Sequence, residues 1–173
     1  MIYKEEYADV TTKMPEYVTA HCISEDCAMG AGVVLAFRKT FPGLKAACME
    51  YMEMVRNSVS PNADHENGNS FVTSDYTVYP YRHVDAGKTV YNMFTKKNYW
   101  HKAGKGISYE DYMKHLKESL EMVKKSMIVK SEKKLAMPRI GSGLDQCKWE
   151  DVKEIILEVF KDTDFEVLIC EFK

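Results

Sequence analysis

Tyr17-Val18-Thr19-Ala20-His21-Cys22-Ile23, then Ser24-Glu25-Asp26, then Met29-Gly30-Ala31-Gly32, then Val33-Val34-Leu35-Ala36-Phe37-Arg38-Lys39: within these residues the chain changes character three times. The first run is apolar and rich in strand formers, so it reads as a buried strand. The acidic triplet reads as a loop, and the glycines lead into a helical stretch that Pro42-Gly43 breaks. A strand, a loop and a helix in this order form the unit from which parallel α/β sheets are built.

The unit recurs along the chain. Leu44, Ala47, Cys48, Tyr51, Met52 and Val55 recur at three and four and predict a second helix. The polar, turn-rich residues from Ser58 to Asn69 read as an exposed loop within one domain. Strands are expected over Phe71–Tyr79 and Thr89–Thr95, joined around Asp85-Ala86-Gly87. Ser108 caps an expected helix running to about Met127, with Tyr112, Leu116, Leu120, Val123 and Met127 on one face. Leu135 to Ile140 reads as a strand leading into Gly141-Ser142-Gly143. A last helix then buries Trp149, Val152, Ile155, Ile156, Val159 and Phe160, and Phe165–Cys170 closes the chain as a strand. The alternation implies an α/β fold with helices on both faces of one sheet.

Composition narrows the classes of function. A chain of 173 residues with 45% hydrophobic residues fits one domain, residues 1–173, able to bury a core. Lys+Arg 24 against Asp+Glu 26 leaves a formal charge of −2, which disfavours a DNA-binder that relies on counterion release. No apolar run is long enough to span a membrane, and the start Met1-Ile2-Tyr3-Lys4-Glu5-Glu6 lacks a signal-peptide pattern, so a cytoplasmic protein is expected. The five cysteines, an odd number without a CxxC pair, are expected to be reduced thiols. His21, Cys22 and Cys27 match no zinc spacing, and neither a metal nor a cofactor is expected.

In sheets of this kind ligands bind beyond the carboxyl ends of the strands. The Met29–Gly32 and Gly141–Gly143 loops both stand where a strand leads into a helix, and their bare backbone can approach an anion. Taken singly, each reads more simply as a tight turn; as a pair they point to a diphosphate. Lys96 and Lys97 follow the apolar strand Tyr91–Thr95. Two such lysines ordinarily end a strand in solvent, but a desolvated one becomes a nucleophilic amine. Asp145 reads equally as a helix-terminus carboxylate or an acid–base group, and His101 as a surface histidine or a base.

Three stretches carry a family resemblance: His21 to Gly32 continuing to Phe37-Arg38-Lys39; Thr95-Lys96-Lys97 with His101-Lys102; and Met137-Pro138-Arg139-Ile140-Gly141-Ser142-Gly143-Leu144-Asp145 with Trp149-Glu150. They resemble the terminal ADP-ribose protein glycohydrolase class of the macrodomain family. The resemblance implies a three-layer α/β/α sandwich around a central mixed β-sheet, with ADP-ribose in a cleft over it. It implies that Asp9, with Val10, contacts the adenine, although the family usually has glycine where Ala8 stands. It places Ser24, Met29, Gly30, Ala31 and Gly32 on the distal ribose and phosphates, and Arg139, Ile140, Gly141, Ser142, Gly143 and Leu144 on the other side of the diphosphate. Lys96 is then the nucleophile and Asp145 its acid–base partner, releasing ADP-ribose from Glu or Asp esters, with O-acetyl-ADP-ribose as a further substrate. Where other hydrolytic macrodomains have an asparagine-containing motif, His21-Cys22-Ile23-Ser24 stands, which favours the lysine route. The alternatives are a phosphatase acting on ADP-ribose-1″-phosphate, removal of ADP-ribose from DNA, and an ADP-ribose reader without turnover. ADP-ribosylated protein is the expected partner, with ADP-ribosylated nucleic acid as a lesser expectation, and the chain is expected to be a monomer. The loops 58–70 and 99–106 are longer than the family pattern, and Trp100, Lys102 and Lys105 in the second suit stacking and phosphate contact.

Overall fold

The computed structural model describes residues 1–59 and 77–171. Its sheet contains β1 (Ile2–Tyr7), β2 (Val18–Ser24), β3 (Tyr81–Asp85), β4 (Lys88–Lys96), β7 (Lys134–Pro138) and β8 (Glu166–Glu171). The spatial order is β1-β8-β7-β2-β4-β3. Every neighbouring pair is parallel except β3–β4, so the sheet is mixed. Two short strands, β5 (Lys102–Ala103) and β6 (Gly106–Ile107), form a separate small ladder.

Alternation along the central strands divides the core into two layers, because successive side chains of a strand point to opposite faces. On β7 and β8, Ala136, Leu168 and Cys170 face one layer, while Leu135, Met137, Val167 and Ile169 face the other. The first layer is filled by α1 (Val34–Thr40) and α2 (Leu44–Val59) through Phe37, Leu44, Cys48 and Met52. The second is filled by α3 (Tyr109–Val129) and α4 (Trp149–Phe160) through Leu116, Leu120, Ile156 and Phe160. The result is the expected three-layer α/β/α sandwich. Ser108 caps α3 as expected, its hydroxyl accepting from the Asp111 N–H at 3.0 Å.

One reading needs correction. The antiparallel partner of β4 is Tyr81–Asp85, after Pro80, whereas Thr77–Pro80 is irregular. The rest of the expected Phe71–Tyr79 strand lies outside the described residues, as do residues 60–70 of the expected loop. The turn itself stands where expected: Ala86 and Gly87 both have positive φ, 51° and 76°, the geometry of a two-residue hairpin turn. The edge strand β1 carries Lys4, Glu5 and Glu6 and has no apolar run to reveal it. Those charges suit an edge, where they discourage pairing with another sheet.

Candidate active site

The carboxyl ends of β2, β4 and β7 converge on one end of the sheet. Between β2 and β4 the register slips: Ile23 stands opposite Phe94, but Ser24 stands opposite Lys96, leaving Thr95 as the extra residue. Such a bulge bends the strand and re-aims the side chains that follow it. Lys96, only 9% exposed, is fixed there by three acceptors: the carbonyls of Tyr99 (3.0 Å) and His101 (2.8 Å), and Asp145 Oδ1 at 2.5 Å. Asp145 comes from the loop before α4 and is itself largely buried. Its other oxygen accepts a hydrogen bond from the Tyr112 hydroxyl, and its backbone carbonyl accepts from the Ala103 N–H at 2.9 Å.

The two glycine loops enclose a cavity of about 830 Å³ above this pair, with Lys96 and Asp145 in its lining. Ser24, Met29, Gly30, Ala31 and Gly32 line one side, and Arg139, Ile140, Gly141, Gly143 and Leu144 the other. Glycine is required at two of these positions. Gly32 has φ +81°, and a Cβ there would stand 3.1 Å from Leu144 Cδ1, so the loops already meet. Gly141 has φ +72° and lies over the Tyr112 ring. Among the described residues, the N–H groups of Gly30, Ala31, Gly141 and Gly143 donate to no protein acceptor. Asp26 ties the first loop to the lysine, accepting from Ser24 Oγ (2.5 Å), the Ala28 N–H (3.1 Å) and the Tyr99 N–H (2.9 Å).

The structure leaves three expected binding residues outside the cavity lining. Asp9 caps a 3-10 turn over Val10–Lys13, accepting from the Thr11 N–H at 2.9 Å and the Thr11 hydroxyl at 2.7 Å. Val10 is buried in the core, and the Ser142 hydroxyl turns back to the Ile140 carbonyl at 3.5 Å. Arg139 does line the cavity, but its guanidinium is engaged elsewhere, 3.2 Å from Glu171 and over the Trp149 ring. Tyr112, Cys22 and Asp26 belong to the site and were not singled out by sequence as site residues. Tyr112 reads as one more member of an apolar helical row, and nothing local distinguishes its hydroxyl. Cys22 lines the cavity, and burial pushes its thiol up, so it stays protonated.

The two histidines of interest stay neutral. His21 is fully buried, its Nε2 2.6 Å from Asn92 Oδ1 and its ring against Phe37, and burial lowers its pKa to about 4. Burial, and then Lys96, lowers that of His101. The His101 ring packs where a Cβ on Gly106 would stand, and its carbonyl holds Lys96. Tyr99 and Trp100 stand exposed at the cavity mouth, edge to face.

The family model of the Macro domain matches residues 20–156, which contain both glycine loops, Lys96 and Asp145. The chain is a macrodomain. It is 35% identical to the human protein named ADP-ribose glycohydrolase OARD1 over 150 residues, 87% of this chain and 78% of that protein. The bovine protein of the same name is likewise 35% identical, over 149 residues. Among solved structures, the macrodomain of Thermus aquaticus DarG superposes with a TM-score of 0.72 at 18% identity, covering 98% of each chain. Thermosipho africanus DarTG in complex with ADP-ribose superposes at 0.68, with 14% identity, covering 99% of this macrodomain and 42% of that chain. At such identities the likeness establishes the fold alone.

Proposed function

We propose that this macrodomain binds ADP-ribose between its two glycine loops and hydrolyses the ester that joins ADP-ribose to a Glu or Asp side chain. The observation that carries the reading is the contact of 2.5 Å between Lys96 Nζ and Asp145 Oδ1, both nearly buried, at a cavity flanked by backbone N–H groups that have no protein acceptor among the described residues. A volume of about 830 Å³ suits a ligand of this size, and bare N–H groups suit a diphosphate. The name of the human relative supports the same ligand and reaction class.

The geometry supports a two-step chemistry. A proton passes from Lys96 Nζ to Asp145 Oδ1, leaving a lone pair on nitrogen. The amine attacks the anomeric carbon, an N–C bond forms, and the C–O ester bond breaks, its electron pair leaving with the acceptor carboxylate. Water then adds at the same carbon as the N–C bond breaks and its electron pair returns to nitrogen. Asp145 gives its proton back to the lysine and takes the proton shed by the water, which passes to solvent as ADP-ribose departs. The departing carboxylate needs no proton, so the one acid–base group in contact with the lysine suffices.

A protein mono-ADP-ribosylated on Glu or Asp provides the test. Wild type releases ADP-ribose, whereas Lys96→Ala releases at least about 1000-fold less while still binding ADP-ribose in calorimetry. One observation favours a second reading, binding without turnover: all three hydrogens of the Lys96 ammonium have acceptors, as in a structural lysine. Binding by both proteins with release by neither would select it.

A further inference from the structure

On the apolar row of α3, Tyr112 is followed by Leu116, Leu120, Val123 and Met127, and all five are fully buried. Of these five, Tyr112 alone carries a polar side-chain group. A buried hydroxyl costs free energy unless it is hydrogen-bonded, and a leucine would fill the row without that cost. The hydroxyl is held on both sides: it accepts from Thr95 Oγ1 at 3.2 Å and donates to Asp145 Oδ2. Thr95 is the extra residue of the β2–β4 bulge, so the distortion that aims Lys96 also supplies this support.

We infer that Tyr112 is a positioning residue for Asp145, fixing its carboxylate so that Oδ2 is occupied and Oδ1 alone receives the Lys96 proton. The inference deepens the ester-hydrolase reading and rests on it. A carboxylate held at one oxygen cannot swing about its terminal torsion, so the short contact to Lys96 is in place before substrate arrives. Burial raises the Tyr112 phenol well above its ordinary value, so it acts as a donor and does not compete for the lysine proton. The other titratable groups around the carboxylate are Lys96 on β4, Cys22 on β2 and Cys147 in the loop before α4, with His101 beside the lysine. Burial holds both thiols protonated, and Lys96 and Tyr112 are the groups that hydrogen-bond the Asp145 carboxylate.

The test is Tyr112→Phe, which removes one oxygen and keeps the ring beneath Gly141. Release of ADP-ribose from the ester is expected to fall about 10- to 100-fold in kcat, the usual weight of a hydrogen bond to a charged group. KM and ADP-ribose affinity should stay within about twofold. Loss of this hydrogen-bond donor is expected to move the acid limb of the kcat profile to higher pH. Site-specific 3-fluorotyrosine at position 112, a stronger donor that preserves the fold, should move it to lower pH. A Tyr112→Phe protein with wild-type kcat and profile overturns the inference and leaves the Lys96 reading intact. A destabilised variant combined with an unmoved profile in the fluorotyrosine protein also overturns it. Wild type inactive on the ester removes the ester reading and this inference together.

Discussion

His21 and Lys96 lie on neighbouring strands, and each hides a polar group from solvent, yet one is sealed into the core and the other lines a cavity. His21 stands in the middle of β2 opposite Asn92, bonded to it and covered by Phe37. Lys96 stands at the carboxyl end of β4, past a bulge, with the cavity above it. The histidine has one neutral partner and loses its charge; the lysine has two carbonyls and a carboxylate, which suit an ammonium. Burial alone therefore does not separate a candidate for catalysis from a core group. Position along the strand separates these two, because the strand ends open toward the space between the glycine loops.

The strongest test of that contrast is at the lysine's partner. Asp145→Asn keeps the size of the side chain but removes the proton acceptor, and ester hydrolysis should fall by about 10²- to 10⁴-fold. ADP-ribose affinity, measured by calorimetry, should change little. If hydrolysis persists at the wild-type rate, the carboxylate is structural, as the Asn92 amide is for His21.

A smaller effect is expected from the segment that holds the lysine from outside. Gly106 has φ +81°, and a Cβ there would overlap the His101 ring, whose backbone carbonyl accepts from Lys96. Gly106→Ala should lower the rate by about 10-fold through displacement of Lys96. It should also lower stability by about 1–3 kcal/mol, read by denaturant unfolding. A variant that is destabilised yet fully active would show that this segment does not position the lysine.

The core histidine should leave turnover untouched and appear only in stability. Its pKa, about 4 in the folded protein, lies below the ordinary 6.5, so the unfolded chain takes up the proton first. The stabilisation from keeping His21 neutral is full above about pH 6.5 and declines as pH falls toward about 4, by about 3 kcal/mol in all. His21→Gln should flatten this part of the melting-temperature profile relative to wild type, with ADP-ribose release unchanged at neutral pH. Equal pH slopes in the two proteins would place the histidine elsewhere than in a sealed core.

The sequence by itself determined the alternation of strands and helices, the apolar faces of α3 and α4, the capping of α3 by Ser108, and the two glycine loops at strand–helix junctions. These signals are local: periodicity, turn residues and caps act within one element. For Lys96 and Asp145 the local signals left a solvated lysine and a helix-terminus carboxylate open, and the family resemblance gave them their expected roles. Tertiary structure decided the rest. The slip that leaves Thr95 unopposed exists only when β2 and β4 pair, so no reading of β4 alone could aim Lys96. Arg139 was expected at the diphosphate, but its guanidinium goes to Glu171 and Trp149, partners supplied by β8 and α4. Tyr112 looked like a core side chain and is one, except for a single oxygen that meets a carboxylate 33 residues away. Local sequence sets which face of an element is apolar, but the partner of a buried polar atom is fixed only when distant elements close around it.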